Sequence, residues 1–105
     1  MTRGEIWWAQ LGGPAGRRPV LLLSRSAAYE VRRLIIVAPV TTRIRHIATE
    51  VPLGPDDGLP RRCVVNVDTL TTIDKDLLDA RLALLSFEKM RAVNAALSFA
   101  LGMDE

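Results

Sequence analysis

Two continuous apolar runs of strand length constrain the fold of this chain most. They extend from Pro19 to Ser24 and from Leu34 to Val40. A strand with one solvent-exposed face alternates apolar and polar residues, whereas an uninterrupted apolar run is typical of a strand that is buried on both faces. The sequence therefore predicts two strands that are covered on both sides.

Polar side chains stand at the ends of these two runs. Arg17 and Arg18 enter the first run from a Gly-rich loop, and Thr41 and Thr42 leave the second. Guanidinium and hydroxyl groups are suited to stabilising negative charge that develops on a phosphate group. They form the best candidate site in a chain with one His, one Cys and no phosphate-cradling Gly-Lys-Ser run.

Other segments of β-favouring composition surround these runs. They are Gly4 to Leu11, Ala48 to Leu53, Cys63 to Leu70 and Ala80 to Leu85. Turn signals follow the first two of them, at Gly12-Gly13-Pro14 and from Gly54 to Gly58. A short helical turn is predicted within Arg25 to Arg33, and a turn or one turn of helix within Asp74 to Asp79.

Two adjacent tryptophans, Trp7 and Trp8, lie in the first segment. Adjacent strand residues face opposite ways, so the two indoles cannot both fill the same core. One of them is expected to meet a second sheet layer, a partner chain or a ligand. For Trp8, core or dimer packing is preferred over stacking on a base. Cys63 begins a strand and is expected to be a small core residue.

The C-terminal segment is the only one that predicts a long helix. Ser86 is a suitable N-cap, and Gly102 sits where the residue after the helix end is expected. The main apolar stripe consists of Phe87, Met90, Val93, Leu97 and Leu101. Further apolar residues widen it beyond what one core needs, so we expect the helix to pack on its own sheet and on another subunit.

The 105 residues form one domain, residues 1–105. The elements predict an α+β, β-rich fold, in which a small barrel or curled sheet of five to seven strands is closed by one C-terminal helix. The single Cys excludes an internal disulfide, and no apolar run approaches the roughly 20 residues of a membrane span. We therefore expect a cytoplasmic protein with no membrane partner.

The charge of the chain is unevenly distributed. Residues 1–48 hold eight Arg and two acidic residues, whereas residues 49–105 hold six basic and ten acidic residues. A polyanionic partner for the N-terminal half fits this asymmetry, because Arg forks onto phosphate oxygens and stacks on bases. High-GC coding would also enrich Arg, and composition alone does not separate the two explanations.

A series of five segments resembles the MazF/PemK toxins of bacterial type II toxin–antitoxin modules. The segments are Arg3-Gly4-Glu5-Ile6-Trp7-Trp8, Gly16-Arg17-Arg18-Pro19-Val20-Leu21, Val37-Ala38-Pro39-Val40-Thr41, Val64-Val65-Asn66-Val67-Asp68 and Thr72-Ile73-Asp74-Lys75. The resemblance implies an SH3-like small barrel of the CcdB/MazF type with a C-terminal helix. It also implies a homodimer, a sequence-selective and metal-independent endoribonuclease without a cofactor, and a MazE-like antitoxin that blocks the groove for single-stranded RNA.

The same resemblance implies roles for particular residues. Arg18 matches the active-site arginine before a proline, and Thr41 matches the hydroxyl residue that faces it. In such a mechanism the 2′-OH of the RNA attacks the neighbouring phosphorus and leaves a 2′,3′-cyclic phosphate and a 5′-OH end. The general base is unassigned. The expected RNA-binding residues are Arg17, Thr42, Arg43, Arg45, His46, Asn66 and Asp68.

The chain departs from the family pattern at two places on this face. Some members carry an arginine where this chain has Asn66, and many read Gln-x-Arg where it has Thr69-Leu70-Thr71. The loops from Gly12 to Arg17 and from Arg43 to Thr49 are shorter than in many members. These differences leave the RNA sequence preference and the part played by basic residues open.

Two other functions are compatible with the same barrel. One is a non-enzymatic CcdB-like toxin that binds DNA gyrase, which would not need the pair of Arg18 and Thr41. The other is an inactive SH3-like binding module, which the charge asymmetry disfavours. At the level of single residues, Arg18 also fits a solvated charge, and Thr41 and Thr42 are ordinary strand formers.

Overall fold

Seven antiparallel strands and a C-terminal helix build the fold. The computed structural model describes residues 1–105. Its elements are β1 (Glu5–Gln10), β2 (Arg17–Leu22), α1 (Ala28–Val31), β3 (Leu34–Thr41), β4 (Glu50–Leu53), β5 (Cys63–Asn66), β6 (Thr71–Asp74), β7 (Leu78–Leu84) and α2 (Phe87–Ala100). Single 3₁₀ turns lie at Pro55–Asp57, Val67–Thr69 and Lys75–Leu77.

The strand β3 is the centre of a curled sheet. The hydrogen-bonded order is β4-β5-β3-β2-β1-β7, and β6 also pairs with β3. The first half of β3, from Leu34 to Val37, pairs with β6, whereas Val40 and Thr41 at its end pair with β5. Because one strand serves both partners, the sheet curls into a small barrel that is not closed by hydrogen bonds between its edges. The predicted β-rich barrel of five to seven strands is confirmed.

Two hydrophobic clusters cover the two faces of the central strands. Leu21 and Ala38 lie in the larger cluster, while Val20 and Val37 lie in the smaller one on the opposite side. All four side chains are almost inaccessible to solvent. The prediction of a strand buried on both faces is therefore confirmed for the first run. It was wrong for the first half of the second run, where Leu34 and Ile36 of β3 are 52% and 45% exposed.

The helix α2 covers the larger cluster and has the predicted ends. Ser86 Oγ accepts a hydrogen bond from the backbone N–H of Lys89 (3.1 Å), and Gly102 has a left-handed φ of 66°. Val93 is fully buried, whereas Phe87 and Leu101, at the two ends of the predicted stripe, are 79% and 60% exposed. The outer apolar surface of α2 therefore has no partner within the chain. Neither helix is long and apolar enough to cross a membrane.

The predicted strand from Cys63 to Leu70 was wrong in its second half. Here β5 ends at Asn66, whose Oδ1 accepts a hydrogen bond from the backbone N–H of Asp68 (2.9 Å) and turns the chain into a 3₁₀ turn. Such a local side-chain bond competes with strand pairing. The strand β6 was not predicted from the sequence, and β7 begins at Leu78, before the expected start at Ala80.

Candidate active site

Two adjoining clefts lie on the barrel surface and share Arg18 and Thr41. The first cleft has a volume of about 440 Å³ and the second a volume of about 240 Å³. Arg17, Thr42 and several further residues complete the first cleft, whereas Arg43, Arg45 and Asn66 contribute to the second. The structure thus brings Arg18 and Thr41 together, as the sequence predicts.

The pairing of β2 with β3 explains why these two residues meet. Val20 is the antiparallel partner of Pro39. The same register continued by two residues sets Arg18 opposite Thr41. Thr41 is also paired with Val64 of β5, so it lies where β3 passes from one part of the sheet to the other.

The Gly-rich loop between β1 and β2 sets the direction of Arg18. Gly12, Gly13 and Gly16 have left-handed φ values of 71°, 54° and 60°, which glycine adopts without the steric cost of a Cβ. This tight loop brings the carbonyl oxygen of Ala15 to 2.7 Å from Arg18 Nε, which donates a hydrogen bond to it. Arg18 makes no ion pair and no other hydrogen bond, so both of its terminal nitrogens are free to bind an anion.

The hydroxyl group of Thr41 forms one hydrogen bond within the chain. Its Oγ1 accepts a hydrogen bond from the backbone N–H of Arg43 (3.1 Å). The O–H itself remains available as a donor, because a hydroxyl group has one donor and two acceptor positions. Thr41 therefore combines a structural bond to the following loop with a free donor on the cleft side.

Arg17 forms an ion pair with a carboxylate, whereas its neighbour Arg18 forms none. Its Nε and Nη2 donate hydrogen bonds of 3.0 and 2.8 Å to the two carboxylate oxygens of Asp79, and its guanidinium lies 4.5 Å from the centroid of the Trp8 ring. The hydrogen bonds from Arg17 are the main reason that the pKa of Asp79 lies below its usual value. The same bonds raise the pKa of Arg17.

A buried carboxylate shapes the loop that follows Thr41. Glu50 is only 8% exposed, and its Oε1 accepts hydrogen bonds from the backbone N–H groups of Arg45 (2.9 Å) and His46 (3.0 Å). His46 adopts a left-handed φ of 58°, which is uncommon for a residue with a Cβ. The carboxylate thus holds the backbone of this loop while Arg43 and Arg45 line the second cleft.

A second polar network connects Thr49, Asp68 and Asn66. Thr49 is buried, and its Oγ1 donates a hydrogen bond of 2.7 Å to Asp68. Asn66 is buried as well and lines the cleft. Asp68 and His46 line neither cleft, so their contact with RNA stays a prediction that the geometry of the clefts does not support.

Sequence reasoning missed one basic residue of the first cleft. Arg61 lines the first cleft, and Trp8 does so from β1. The pair Arg61-Arg62 enters β5 as Arg17-Arg18 enters β2, and this similarity was a signal for Arg61. Trp7 packs against the smaller cluster on the opposite face, which confirms that the two indoles separate.

Cys63 also reaches the first cleft but is almost completely buried, as expected for a small core residue. Burial raises the pKa of its thiol, with a smaller contribution from Asp57. The thiol is therefore not activated as a nucleophile, which requires a lowered pKa.

The charged side chains that line the two clefts are all cationic. They are Arg17, Arg18, Arg43, Arg45 and Arg61. Arg18 and Thr41 supply free hydrogen-bond donors at the position shared by the clefts. Such a surface is suited to bind a phosphodiester chain and to stabilise charge on one of its phosphates.

The comparisons with known proteins agree over nearly the whole chain. The chain is 45% identical to "Probable endoribonuclease MazF5" of Mycobacterium tuberculosis over 100 residues, which cover 94% of this chain and 91% of that protein. The solved structure "Mycobacterium tuberculosis toxin MazF-mt6" superposes with a TM-score of 0.86 at 34% identity and covers 93% of this chain and 96% of its own. "Endoribonuclease in complex with its cognate antitoxin from Mycobacterial species" gives a TM-score of 0.89 at 33% identity, with 98% of this chain and 96% of that chain covered.

A family model described as "PemK-like, MazF-like toxin of type II toxin-antitoxin system" matches residues 2–101. The match extends from the residues before β1 to the end of α2 and includes both clefts. The predicted resemblance is thereby confirmed, and this chain belongs to the PemK-like, MazF-like toxin family.

Proposed function

We propose that this endoribonuclease toxin cleaves single-stranded RNA at a phosphate held between Arg18 and Thr41, with the 2′-OH of the RNA as the nucleophile. The observation that carries this proposal is the free guanidinium edge of Arg18 beside the free hydroxyl donor of Thr41, in clefts whose charged side chains are all arginines. This arrangement provides donors for the two non-bridging oxygens of a phosphodiester.

The proposed reaction needs alignment and charge stabilisation from the protein. A bond forms between the 2′-oxygen and phosphorus, and the bond from phosphorus to the 5′-oxygen breaks. The proton of the 2′-OH is lost to a base, and a proton is delivered to the leaving 5′-oxygen. Arg18 is not suited to be the base, because a guanidinium group has hydrogen-bond donors and no acceptor for a proton. Its proposed role is to stabilise the charge on the phosphate, and the base is unassigned.

RNA binding is proposed to extend along both clefts. Arg43 and Arg45 would contact phosphates in the second cleft, where Glu50 Oε1 accepts a hydrogen bond from the backbone N–H of Arg45. Thr42 and Arg61 lie at the first cleft, on the other side of the shared position. The antitoxin is proposed to be MazE-like and to cover the same surface, since one of the similar structures is an endoribonuclease with its cognate antitoxin.

We further propose that the toxin is a homodimer and acts in the cytoplasm. The exposed apolar residues of α2 support a second copy of the chain as the partner, since Phe87, Phe99 and Leu101 are each more than half exposed. The single free cysteine is compatible with the reducing cytoplasm. Cleavage of messages there would inhibit translation and growth.

Cleavage of RNA in the presence of EDTA tests the proposed chemistry. Purified protein should cut a single-stranded RNA without added divalent metal and leave a 2′,3′-cyclic phosphate. The same RNA with one 2′-deoxy sugar at the cut position should bind but resist cleavage, because the nucleophile is missing. Cleavage of the deoxy substrate, or a requirement for magnesium, would contradict the mechanism. Binding to DNA gyrase without RNA cleavage would instead support the CcdB-like alternative.

A further inference from the structure

We propose that Trp8, Arg17 and Asp79 form a stacking platform for one nucleobase in the first cleft, beside the phosphate held by Arg18. This inference rests on the proposed function, because it assigns a base-binding site to the same RNA. It gives Arg17 a role distinct from that of the other arginines in the clefts.

The Nε and Nη2 groups of Arg17 are already bound to a carboxylate. Asp79 accepts hydrogen bonds from both Nε and Nη2 of the guanidinium and neutralises its charge at close range. Asp79 is itself held by Gln10 Nε2 at 2.8 Å. A phosphate would have to compete with this bidentate carboxylate, so Arg17 is poorly suited to be a phosphate contact. Arg18, one residue away, has both terminal nitrogens free.

Arg17 also offers its flat surface to a ligand. One side lies on the Trp8 ring at 4.5 Å from the ring centroid, and the side chain of Arg17 remains 44% exposed. The guanidinium is thus held by an indole ring and a carboxylate, and Arg17 still lines the first cleft. Arginine planes of this kind stack on nucleobases in single-stranded RNA.

The rest of the first cleft fits a flat, partly apolar ligand. Leu59 and Pro60 line it together with Trp8, and its volume of about 440 Å³ is within the range of about 300 to 1,000 Å³ typical of small-molecule sites. Arg17 and Arg18 are consecutive residues of β2 and line the same cleft. A base on the platform would therefore belong to a nucleotide next to the cut, and it would contribute to sequence selectivity.

The test measures the coupling between Arg17 and one base of a bound RNA. The RNA carries a 2′-deoxy sugar at the cut position, so binding is measured without cleavage. Each position in turn is replaced by an abasic residue, and fluorescence anisotropy gives Kd for the native protein and for Arg17→Lys. Lysine keeps the positive charge but lacks the planar surface. Arg33→Lys is the matched control, because Arg33 forms a similar exposed pair with Asp74 (2.6 Å) and lines neither cleft.

The platform predicts one abasic position that weakens binding to the native protein about tenfold, in line with the usual contribution of a stacked base. Arg17→Lys should weaken binding of the intact RNA by a similar factor and show no further loss at that position. Arg33→Lys should behave like the native protein. The platform is wrong if every abasic penalty persists in Arg17→Lys, if Arg33→Lys gives the same effect, or if no RNA binds.

The outcome for the platform is separable from the outcome for the proposed function. Cleavage of an all-ribose RNA by the native protein, without coupling at Arg17, would leave the nuclease mechanism intact and remove the platform. Coupling at Arg17 without any cleavage would support the platform and contradict the nuclease mechanism.

Discussion

Arg18 and Thr41 line both clefts from neighbouring antiparallel strands, and each makes a single hydrogen bond to the backbone. Arg18 donates to Ala15, and Thr41 accepts from Arg43. These bonds orient the two side chains and leave their remaining donors free. The site is therefore largely formed before RNA binds, which lowers the ordering cost of binding.

Two substitutions of Thr41 distinguish the contribution of its hydroxyl group from that of its β-branched shape. Thr41→Val keeps the branched side chain but loses the donor, so the rate of RNA cleavage should fall by about 10². Thr41→Ser restores the hydroxyl group and should recover most of the rate. Single-turnover cleavage measures both variants. Equal activity of Val and Ser at this position would show that the hydroxyl group takes no part.

Glu50 is predicted to stabilise the loop that carries Arg43 and Arg45. Glu50→Ala removes the acceptor of two backbone N–H groups and should lower the free energy of unfolding by about 2 kcal/mol. Amide hydrogen exchange should accelerate at Arg45 and His46, and urea denaturation gives the change in stability. The exposed Glu30→Ala serves as the control. Unchanged exchange at both amides would exclude this role.

The pKa of the Asp79 carboxyl group is a direct measure of its pairing with Arg17. Arg17→Met should raise the pKa of Asp79 toward its ordinary value, because the bonds from Arg17 are the main cause of its lowering. NMR titration of the side-chain carboxyl group measures the change. The pKa of Asp74, which is lowered mainly by a backbone bond from Asp76, should stay the same.

The pairing also makes a contribution to stability that depends on pH. Because the pKa of Asp79 is lower in the folded chain, its contribution is present above the unfolded pKa and is lost as the pH falls through the folded value. The effect should be small, since both side chains are exposed at the surface. A pKa of Asp79 that does not respond to Arg17→Met would mean that the pair does not form in solution.

Tyr29 is the only tyrosine, so its ionisation is visible without interference. Burial raises its pKa to about 12 in the folded protein. Absorbance titration should show this value for the folded chain and about 10 in concentrated urea. With the folded pKa raised, the contribution of Tyr29 to stability is complete below pH 10 and declines as the pH rises toward 12. Titration of the folded protein near 10 would contradict the buried position of its ring.

Local sequence patterns predicted most of the fold. The run at Pro19 to Ser24 contains enough apolar residues to specify two-sided burial, and Ser86 and Gly102 specify the ends of α2. The run at Leu34 to Val40 predicted a strand but not the exposure of Leu34 and Ile36. The end of β5 was missed because it depends on one hydrogen bond that the side chain of Asn66 accepts from the backbone N–H of Asp68, within a segment that otherwise has the composition of a strand.

The site was predicted less completely than the fold. The proximity of Arg18 and Thr41 was predicted from their positions at the ends of strands and from the family resemblance. Arg17 and Asp79 are 62 positions apart in the sequence, so no local sequence pattern predicts that they pair. Arg61 was missed although the pair Arg61-Arg62 precedes β5 much as Arg17-Arg18 begins β2.

Cleavage by Arg18→Ala, compared with Arg25→Ala, tests the central claim most directly. Both arginines are exposed, and Arg25 lines neither cleft, so both variants should keep the far-ultraviolet circular dichroism spectrum of the native protein. Arg18→Ala should cut RNA about 10² to 10³ times more slowly, because it lacks the donors that stabilise the phosphate, whereas Arg25→Ala should retain the native rate. A folded Arg18→Ala variant that cuts RNA at the native rate would contradict the account.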